Sequence, residues 1–396
     1  MSDPTIQVVT SVAALSVAIW LYLIFFRGGF WRADQRLGET ADPDGAGLDG
    51  NGPDVAVIVP ARDEAHVIGR TMSALLAQDY PGRYAVVLID DDSSDGTATV
   101  AHAAAVTEGA EHRLTIARAA PPPDGWSGKL WALATGVERS AEILPGARYI
   151  LFTDADIEHH PATLRQLVAK AEAESLDLVS LMALLACTTP WERLLVPAFV
   201  YFFQKLYPFA WVNDPARHTA AAAGGCVLVR SDALGAAGGL AAISDALIDD
   251  CALARLIKRH GAIWLGLSET TLSIRRHGGL GDIWTMVART AFFQLRHSAV
   301  LLVAAVAGML VIYMAPPAAL AGGLLVGDGS LAGLGLAGCL FMAAAYGATL
   351  RLYRQALPAV VFLPVAALFY IAMTIDSAVR YWRGRGGQWK GRIHNG

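Results

Sequence analysis

Hydrophobic residues follow two different patterns along this chain. Near its beginning and end they form long uncharged runs: residues 6–26 carry no charge, and between Ser298 and Leu350 the only charged side chain is Asp328. In the middle section, apolar runs of strand length alternate with longer stretches of helical periodicity. A helix of about 20 apolar residues crosses a hydrocarbon core of about 30 Å. The pattern therefore predicts membrane helices at both ends and an α/β section between them.

The first apolar run is interpreted as an uncleaved membrane anchor over residues 1–27. A secretory signal peptide begins with basic residues and ends in a small-residue cleavage site, whereas here Asp3 precedes the run and "FFRGGFW" follows it. Arg27, Arg32 and Arg36 come after the run, so the positive-inside rule predicts a cytoplasmic middle section. We therefore expect the chain in the inner (cytoplasmic) membrane, with its middle section on the cytoplasmic side.

The final apolar region, residues 298–377, is predicted to contain two or three membrane helices. Two spans are expected on either side of "VGDGS", and residues 357–375 form a candidate third. A basic tail, residues 378–396, follows them. Three full crossings would leave that tail outside, against the positive-inside rule, so one segment can instead be interfacial or re-entrant.

The middle section is predicted to be an α/β domain over residues 54–297, reached through a Gly-, Asp- and Pro-rich linker over residues 28–53. Four runs have strand length, "VAVIVPA", "YAVVLID", "RLTIAR" and "RYILFTD", with helical stretches such as "EAHVIGRTMSALLAQ" and "GKLWALATGVERSAEI" between them. This alternation predicts a mostly parallel sheet flanked by helices. Residues 191–212 are apolar and aromatic but interrupted by charges and prolines, so they suit either a buried core or the bilayer interface.

Acidic side chains follow three of the predicted strands, in "PARDEA", "DDDSSDGT" and "TDADIEHHP". Ligands of such sheets bind beyond the carboxyl ends of the strands, so these acids are expected to share one cleft. Asp154 and Asp156 stand at i and i+2, point to the same side of an extended chain and repel each other, which a divalent cation would relieve. The alternative is that one of them caps the helix that "PATLRQLVAKAEAE" begins, while the other is solvated.

The loop sequences indicate the kind of nucleotide that the cleft binds. "PARDEAHVIG" has neither the G-x-G-x-x-G pattern of dinucleotide folds nor the pattern of a P-loop. Pro60 fixes a turn there, and Glu64 and Asp91 can accept hydrogen bonds from a nucleobase or a ribose. A Mg²⁺ or Mn²⁺ ion held by Asp154 and Asp156 would then bridge the protein to a nucleoside diphosphate.

Two features of these loops also have structural interpretations. Lys129, in "DGWSGKLWAL", is expected either to contact phosphate or to be a solvated surface charge. The loop "DDDSSDGT" suits a turn followed by a helix cap, although three consecutive aspartates are more than capping needs.

A second group of residues is predicted to serve an acceptor. Gly224 and Gly225, in "AAAGGCVLVRSDAL", permit a close approach of backbone and ligand. Asp249 and Asp250 stand in the first turn of a helix that is expected to begin near Ile248. Carboxylates there favour the helix for structural reasons, but one cap requires only one acid. If Asp249 is structural, Asp250 is available as a general base toward an acceptor hydroxyl.

Composition narrows the classes of function. Hydrophobic residues make up 54% of the 396 residues and the mean hydropathy is +0.42, which supports partial residence in a bilayer. The net charge of −4 and the lack of a basic, aromatic-rich face argue against nucleic-acid binding. The four cysteines have no spacing typical of a zinc site or a disulfide framework, so we expect reduced, mostly packed thiols.

Taken in order, the motifs resemble those of family 2 glycosyltransferases of the GT-A fold over roughly residues 53–300. "PARDE" resembles the first-strand motif of the family, and "DDDSSDGT" resembles its nucleotide loop. "GKLWAL" resembles the phosphate-side lysine segment, and "TDAD" resembles the D-x-D metal site. Further along, "GGCVLVR" resembles the acceptor region and "DDCALARLI" resembles the base motif. The resemblance implies these roles: nucleotide-sugar binding by Pro60, Ala61, Glu64, Asp91, Lys129 and Asp154; metal binding by Asp154 and Asp156; acceptor-side contacts by Gly224, Gly225 and Arg296; base catalysis by Asp250 beside Asp249. Asp249 stands where the family usually has Glu, which keeps the carboxylate.

Departures from the polymer-forming members of the family favour a lipid acceptor. Those members carry Q-x-x-R-W, whereas "FFQLRHS" keeps Arg296 but has Phe293 and His297 in place of Gln and Trp. The chain is more similar to ceramide-glucosyltransferase-like enzymes and, most closely, to hopene-associated glycosyltransferases of hopanoid biosynthesis. The segments "MVARTAFFQLRHS", "AMTIDSAVRYW" and "GGQWKGR" carry this resemblance, and carotenoid glycosyltransferases share the last of them.

The resemblance implies an inverting, metal-dependent enzyme that moves a sugar from a nucleotide-diphosphate sugar, expected to be a UDP-sugar, to a hydroxyl of a membrane lipid. Three alternatives stay open. A nucleotidyltransferase would need a Gly-rich, basic first loop, and "PARDEA" is acidic. A polyprenyl-phosphate sugar synthase would need a basic pocket near the membrane, for which Arg275, Arg276 and Arg296 are candidates. A non-catalytic membrane scaffold would have no need of three carboxylates facing one cleft.

Overall fold

The computed structural model describes residues 4–37, 48, 52–384, 388–389 and 392–393. Much of the predicted linker over residues 28–53 and of the predicted basic tail over residues 378–396 lies outside the described residues. The chain divides into two compact units. The described residues within Asp34–Ala186, Trp211–Arg276 and Gln388–Gly396 form the sheet unit, and those within Met1–Ala33, Cys187–Ala210 and His277–Gly387 form the helical unit.

Helices and strands alternate through the sheet unit and helices dominate the helical unit. In chain order the α-helices are α1 (Pro4–Phe26), α2 (Ala65–Leu76), α3 (Thr97–Thr107), α4 (Gly128–Ile143), α5 (Thr163–Ala173), α6 (Pro190–Leu206), α7 (Phe209–Asn213), α8 (Ser231–Ala236), α9 (Asp249–Lys258), α10 (Leu280–Gln294), α11 (Ala299–Met309), α12 (Ala315–Val326), α13 (Gly329–Leu352) and α14 (Leu363–Trp382). The strands are β1 (Val55–Ala61), β2 (Tyr84–Asp90), β3 (Leu114–Arg118), β4 (Tyr149–Thr153), β5 (Ile157–Glu158), β6 (Leu178–Leu184), β7 (Cys226–Arg230), β8 (Ile263–Ser273), β9 (Gln388–Trp389) and β10 (Arg392–Ile393).

Eight strands form one sheet in the order β3-β2-β1-β4-β7-β6-β8-β5. β1 runs parallel to both β2 and β4, β2 runs parallel to β3, and β6 runs parallel to β8. β7 is antiparallel to both of its neighbours, and β5 is antiparallel to β8. The predicted fold, a parallel-dominated sheet with flanking helices, is confirmed.

The core of the sheet unit explains why β1 reads as a continuous apolar run. Every residue of Val55–Ala61 is buried because helices cover both faces of the sheet, as parallel strands require. α2 contributes Ile68, Met72 and Leu75 to the same core. The buried strands hold the loops at their carboxyl ends, and these loops carry the predicted site residues.

The helical unit contains the apolar runs seen in the sequence. Within the described residues, four helical runs are long and apolar enough to cross a membrane: Pro4–Phe26, Ala299–Val326, Gly329–Leu352 and Leu357–Trp382. The second run is continuous because a single π-helical turn, Leu310–Met314, joins α11 to α12. The predicted N-terminal span and the predicted C-terminal spans are therefore confirmed as helices that could cross a membrane.

α6 forms most of the aromatic segment over residues 191–212. Its N-terminus is closed by a capping box, in which the hydroxyl of Thr189 accepts from the N–H of Glu192 and the carboxylate of Glu192 accepts from the N–H of Thr189. Tyr201 is fully buried, whereas Leu206 is 48% exposed. The segment thus buries one face in the core of the helical unit.

Candidate active site

The two carboxylates of "TDAD" project from the loop that follows β4. Asp154 forms an ion pair with Lys129, and Asp156 forms one with Arg275. The residue at the N-cap position of α5 is Ala162, whose methyl group cannot accept a capping hydrogen bond. Neither aspartate therefore caps α5, and the capping interpretation is wrong.

Lys129 leaves the first turn of α4 and joins two loops. The hydroxyl of Ser127 accepts from the N–H of Leu130 at 3.2 Å, which caps the helix beside Lys129. The Lys129 Nζ lies 2.9 Å from Asp154 Oδ1 and 3.1 Å from Asp249 Oδ2. Although burial opposes the charge, these two carboxylates raise the pKa of Lys129 above its usual range. Lys129 is an internal counter-charge rather than a solvated surface charge.

Replacing Lys129 with methionine is expected to lower the free energy of unfolding by about 2 kcal/mol, because Asp154 and Asp249 lose their counter-charge. This loss is smaller than for a fully buried pair, since the two carboxylates are 35% and 21% exposed. Thermal unfolding of detergent-solubilised protein would report it as a lower midpoint. Arg139→Met is the matched control, because Arg139 pairs with Glu142 on the exposed surface of the same helix and its loss should change the midpoint little. Equal midpoints for the two variants would contradict the role of Lys129.

Asp250 lies in the first turn of α9 and accepts two backbone hydrogen bonds. Its Oδ2 accepts from the N–H of Gly224 at 2.8 Å, and its Oδ1 accepts from the N–H of Cys251 at 2.6 Å. A Cβ atom at position 224 would lie 3.4 Å from Asp250 Oδ2 and from Lys129 Nζ, so glycine permits this close approach. Burial, and then the neighbouring Asp249, raise the pKa of Asp250 to about 6. A carboxylate with this pKa is ionised at neutral pH and basic enough to accept a proton.

The pH dependence of turnover follows from this pKa. If Asp250 must be ionised to accept a proton, activity falls as the pH drops through about 6, where the carboxyl group becomes protonated. We expect kcat/KM for sugar transfer to rise between about pH 5 and pH 7 and then to level off. Initial rates at limiting acceptor concentration measure this profile. A flat profile across that range would contradict the assignment of Asp250 as the base.

Gly225 is tied to the strand that carries "TDAD". The hydroxyl of Thr153 donates to the carbonyl oxygen of Gly225 at 2.8 Å, and its oxygen lies 2.8 Å from His159 Nε2. Because the carbonyl takes the only hydroxyl proton, His159 Nε2 must be the donor in the second bond. Burial lowers the pKa of His159 to about 4, so its ring is neutral. These bonds hold the "TDAD" loop against the turn that precedes β7.

Arg275, which follows β8, joins two acids that the sequence analysis treated separately. Its Nε donates to Asp156 Oδ2 at 2.7 Å, and one of its Nη atoms donates to Glu64 Oε1 at 2.6 Å. Burial opposes the charge, but the two carboxylates raise the pKa of Arg275. From the sequence, Arg275 was a candidate only for binding a phosphate acceptor, because 119 residues separate it from Asp156.

The predicted donor loop lies at the carboxyl ends of β1 and β2. Pro60 and Ala61 are the last two residues of β1, so the prediction of a turn at Pro60 is wrong: Pro60 lies opposite Ile89 of β2. The carbonyl oxygen of Ala61 accepts from the N–H of Asp91 at 2.8 Å. Asp91 is 2% exposed, and Arg62 lies 3.4 Å from its carboxylate and donates to its carbonyl oxygen. Their nucleotide contacts remain predictions.

Other acids of "DDDSSDGT" stabilise the loop itself. Asp90 Oδ1 accepts from the N–H of Ser93 at 3.0 Å, and Asp95 Oδ1 accepts from the N–H of Thr97 at 3.0 Å. The interpretation of this stretch as a turn leading into a helix thus applies to Asp90 and Asp95.

Arg296 belongs to the helical unit. It lies in the turn after α10, where Arg296 and His297 adopt the left-handed backbone conformation with φ of 52° and 54°. Its acceptor-side role remains a prediction.

The carboxylates of the "TDAD" loop are a donor set that fits Mg²⁺ or Mn²⁺. Such hard cations prefer oxygen ligands, and Mg²⁺ is commonly bound through one or two carboxylates together with substrate phosphates. Burial, and beside it Asp156, raise the pKa of Asp154 against the opposing effect of Lys129, so the two acids are close enough to interact. In the part of the chain that the structure describes, no group of three or more His, Cys, Asp or Glu side chains could hold a metal ion.

Residues 56–236 match the model of Glycosyl transferase family 2. This stretch is a family 2 glycosyltransferase domain. The family 2 domain contains the loops that carry Glu64, Asp91, Lys129, the "TDAD" motif and Gly224. Asp249, Asp250 and Arg275 follow it in the chain.

This chain is similar to proteins of Haloferax volcanii and Pyrobaculum calidifontis. Glycosyltransferase AglE of Haloferax volcanii is 30% identical over 128 residues, which are 32% of this chain and 38% of that protein. The family 2 domain and its surroundings also resemble the mannosyltransferase PcManGT of Pyrobaculum calidifontis, solved in complex with GDP-Man and Mn²⁺. That likeness has a TM-score of 0.52 and 19% identity over 94% of this chain and 99% of the other. It supports the GT-A-like fold.

Proposed function

We propose that the chain is a membrane-bound, inverting glycosyltransferase that moves a sugar from a nucleotide-diphosphate sugar to a hydroxyl of a membrane lipid. The observation that carries this proposal is the arrangement around Asp250. Its carboxylate is held by the N–H groups of Gly224 and Cys251, has a pKa of about 6, and neighbours Asp249, which shares Lys129 with Asp154. The acid next to the proposed base and a proposed donor-binding carboxylate are thus linked through one lysine.

The donor side consists of acids that can bind a nucleotide and a metal ion. Glu64 and Asp91 would accept hydrogen bonds from the nucleoside. Asp156, with Asp154 beside it, would hold Mg²⁺ or Mn²⁺, and such an ion stabilises negative charge on the departing diphosphate. Lys129 supplies a further positive charge at the same end of the cleft. A UDP-sugar is the donor we propose, and the GDP-sugar and Mn²⁺ bound to the mannosyltransferase PcManGT support this class of donor.

The chemical step needs one proton transfer and one displacement. Asp250 accepts the proton of the acceptor hydroxyl, and the oxygen forms a bond to the anomeric carbon of the sugar. The bond between that carbon and the diphosphate oxygen breaks, and its electron pair leaves with the nucleoside diphosphate. Because attack and departure occur on opposite faces of the carbon, the configuration inverts. The raised pKa of Asp250 strengthens it as a base without protonating it at neutral pH.

The acceptor is proposed to be a membrane lipid with a hydroxyl group, related to hopanoids. Four apolar helical runs give the chain a means of residing in the bilayer where such a lipid is dissolved. The catalytic domain would then lie at the cytoplasmic face of the inner membrane. Arg275, one of the three candidates for binding a phosphate acceptor, pairs with two acids of the proposed donor side, which favours a role toward the donor rather than toward a polyprenyl phosphate.

A transfer assay tests this function. Detergent-solubilised protein is incubated with Mn²⁺, a set of radiolabelled UDP- and GDP-sugars, and a bacterial lipid extract that contains hopanoids. We expect label from one donor in the organic phase, lost on chelation of the metal and stable to mild acid. Acid-labile product would instead indicate a polyprenyl phosphate sugar. Absence of lipid label with every donor, from protein that unfolds cooperatively, would contradict the proposal.

A further inference from the structure

Arg275 forms an ion pair with Asp156, the carboxylate that the proposed function assigns to the metal ion. The Nε of Arg275 lies 2.7 Å from Asp156 Oδ2, and its Nη2 lies 2.6 Å from Glu64 Oε1. The Asp156 side chain is 13% exposed and that of Glu64 is 6% exposed, whereas Arg275 is 35% exposed. The two acids are therefore more deeply buried than the arginine that pairs with them.

The position of Arg275 creates a competition for Asp156. An oxygen that accepts a charged N–H at 2.7 Å cannot also bind a divalent cation at about 2.1 Å without bringing two positive charges together. If Asp156 Oδ2 binds the metal ion, Arg275 must release it. Lys129, another cation of the cleft, is 21% exposed and contacts Asp154 and Asp249 rather than Asp156. Arg275 is thus the cation that opposes metal binding at Asp156.

A guanidinium that has released Asp156 can pair with the diphosphate of the donor. A nucleoside diphosphate carries at least two negative charges, and the planar fork of an arginine matches the paired oxygens of a phosphate. Arg275 can keep its hydrogen bond to Glu64 while its Nε turns away from Asp156 and toward the diphosphate. Glu64 itself is one of the proposed nucleoside contacts, so the diphosphate is expected close to this pair.

We propose that Arg275 is an exchangeable counter-ion of the donor site, which releases Asp156 to the metal ion and pairs with the diphosphate of the donor. This inference rests on the proposed function and adds a consequence to it. Arg275 makes binding of the metal alone unfavourable and binding of metal with nucleotide favourable, so the two ligands bind cooperatively. Linkage requires each ligand to raise the affinity for the other by the same factor.

The test measures Mn²⁺ binding directly. Titration of full-length, detergent-solubilised protein with Mn²⁺, followed by the loss of the electron paramagnetic resonance signal of free Mn²⁺, gives the affinity with and without UDP. Arg275→Met should bind Mn²⁺ alone about tenfold more tightly than the unmodified protein, since a charged hydrogen bond to Asp156 no longer competes. The same variant should bind UDP in saturating Mn²⁺ about tenfold more weakly, because the diphosphate loses a charged partner.

Two further variants make the result specific. Arg276→Met removes the neighbouring exposed arginine and should leave both affinities within about twofold of the unmodified protein. Arg275→Lys keeps the charge but cannot reach both acids with one fork, so it should bind Mn²⁺ alone a few-fold more tightly. This second variant tests the proposal if Arg275→Met does not fold.

Tighter binding of Mn²⁺ alone together with weaker binding of UDP by Arg275→Met would support the exchange. Unchanged or weaker Mn²⁺ binding by Arg275→Met and Arg275→Lys would overturn it while leaving the proposed function intact, because Arg275 would then merely orient Asp156. Failure of the unmodified protein to bind Mn²⁺ even with UDP, or identical binding by Asp156→Ala, would overturn both the exchange and the metal-dependent function.

Discussion

Replacing Asp250 with asparagine is expected to lower kcat for sugar transfer by about a thousandfold, because the acceptor hydroxyl loses its general base. Donor affinity should remain nearly normal, since the proposed donor contacts are made by other residues. The amide can still accept one of the two backbone hydrogen bonds from Gly224 and Cys251. Steady-state kinetics in acceptor, with calorimetric binding of UDP, separates these two effects.

The matched control for this variant is Asp232→Asn. Asp232 is an acid on the exposed surface of α8 and pairs with Arg230, so its loss should change kcat by less than about twofold. Turnover of Asp250→Asn close to that of this control would exclude Asp250 as the base. A second pattern, normal kcat with a much higher KM for the donor, would assign Asp250 to donor binding instead.

Replacing Asp156 with asparagine is expected to lower kcat/KM for the donor by about a thousandfold or more, because the metal ion loses a charged ligand. The neutral amide also binds Arg275 more weakly than the carboxylate does, so the arginine shifts toward Glu64. Part of the activity should return at high Mn²⁺ concentration if the site is weakened rather than abolished. Rates measured over a Mn²⁺ titration show this directly.

Glu158→Gln is the control for Asp156. Glu158 lies two residues further along, in β5, and pairs with Arg70 on the surface. Its substitution removes one negative charge from nearly the same stretch of chain and should leave the Mn²⁺ dependence unchanged. If Asp156→Asn and Glu158→Gln had the same Mn²⁺ dependence as the unmodified protein, the metal would not be held at "TDAD".

Local sequence patterns predicted the strands and helices around the cleft closely. "VAVIVPA" and "YAVVLID" coincide with β1 and β2, and "GKLWALATGVERSAEI" coincides with α4. The two strands were predictable because each is an apolar run buried on both faces that ends abruptly at polar residues. The helix α4 was predictable from its helical periodicity. The convergence of Glu64 and Asp156 on Arg275 agrees with the predicted common cleft, since loops at the carboxyl ends of the neighbouring parallel strands β1 and β4 meet at one edge.

Partners that are far apart in sequence could not be predicted in this way. The pairing of Arg275 with Asp156 depends on β5 running antiparallel to β8, which brings Ile157 opposite Ser273. β5 has only two residues, too few for a strand signal in the sequence. The double role of Lys129 depends likewise on the first turn of α4 lying next to the first turn of α9, which no local motif reports. Charge pairing across such distances is set by topology rather than by periodicity.

Calorimetry of UDP binding measures whether the protein has a nucleotide-diphosphate site that uses a metal ion at "TDAD", the claim on which the mechanism rests. Detergent-solubilised protein and its Asp156→Ala variant are titrated with UDP in the presence and absence of Mn²⁺. We expect UDP binding by the unmodified protein that depends on Mn²⁺ and that is lost in Asp156→Ala. Binding that is absent from both folded proteins, with GDP and other nucleotides as well, would contradict the claim and favour a non-catalytic membrane scaffold.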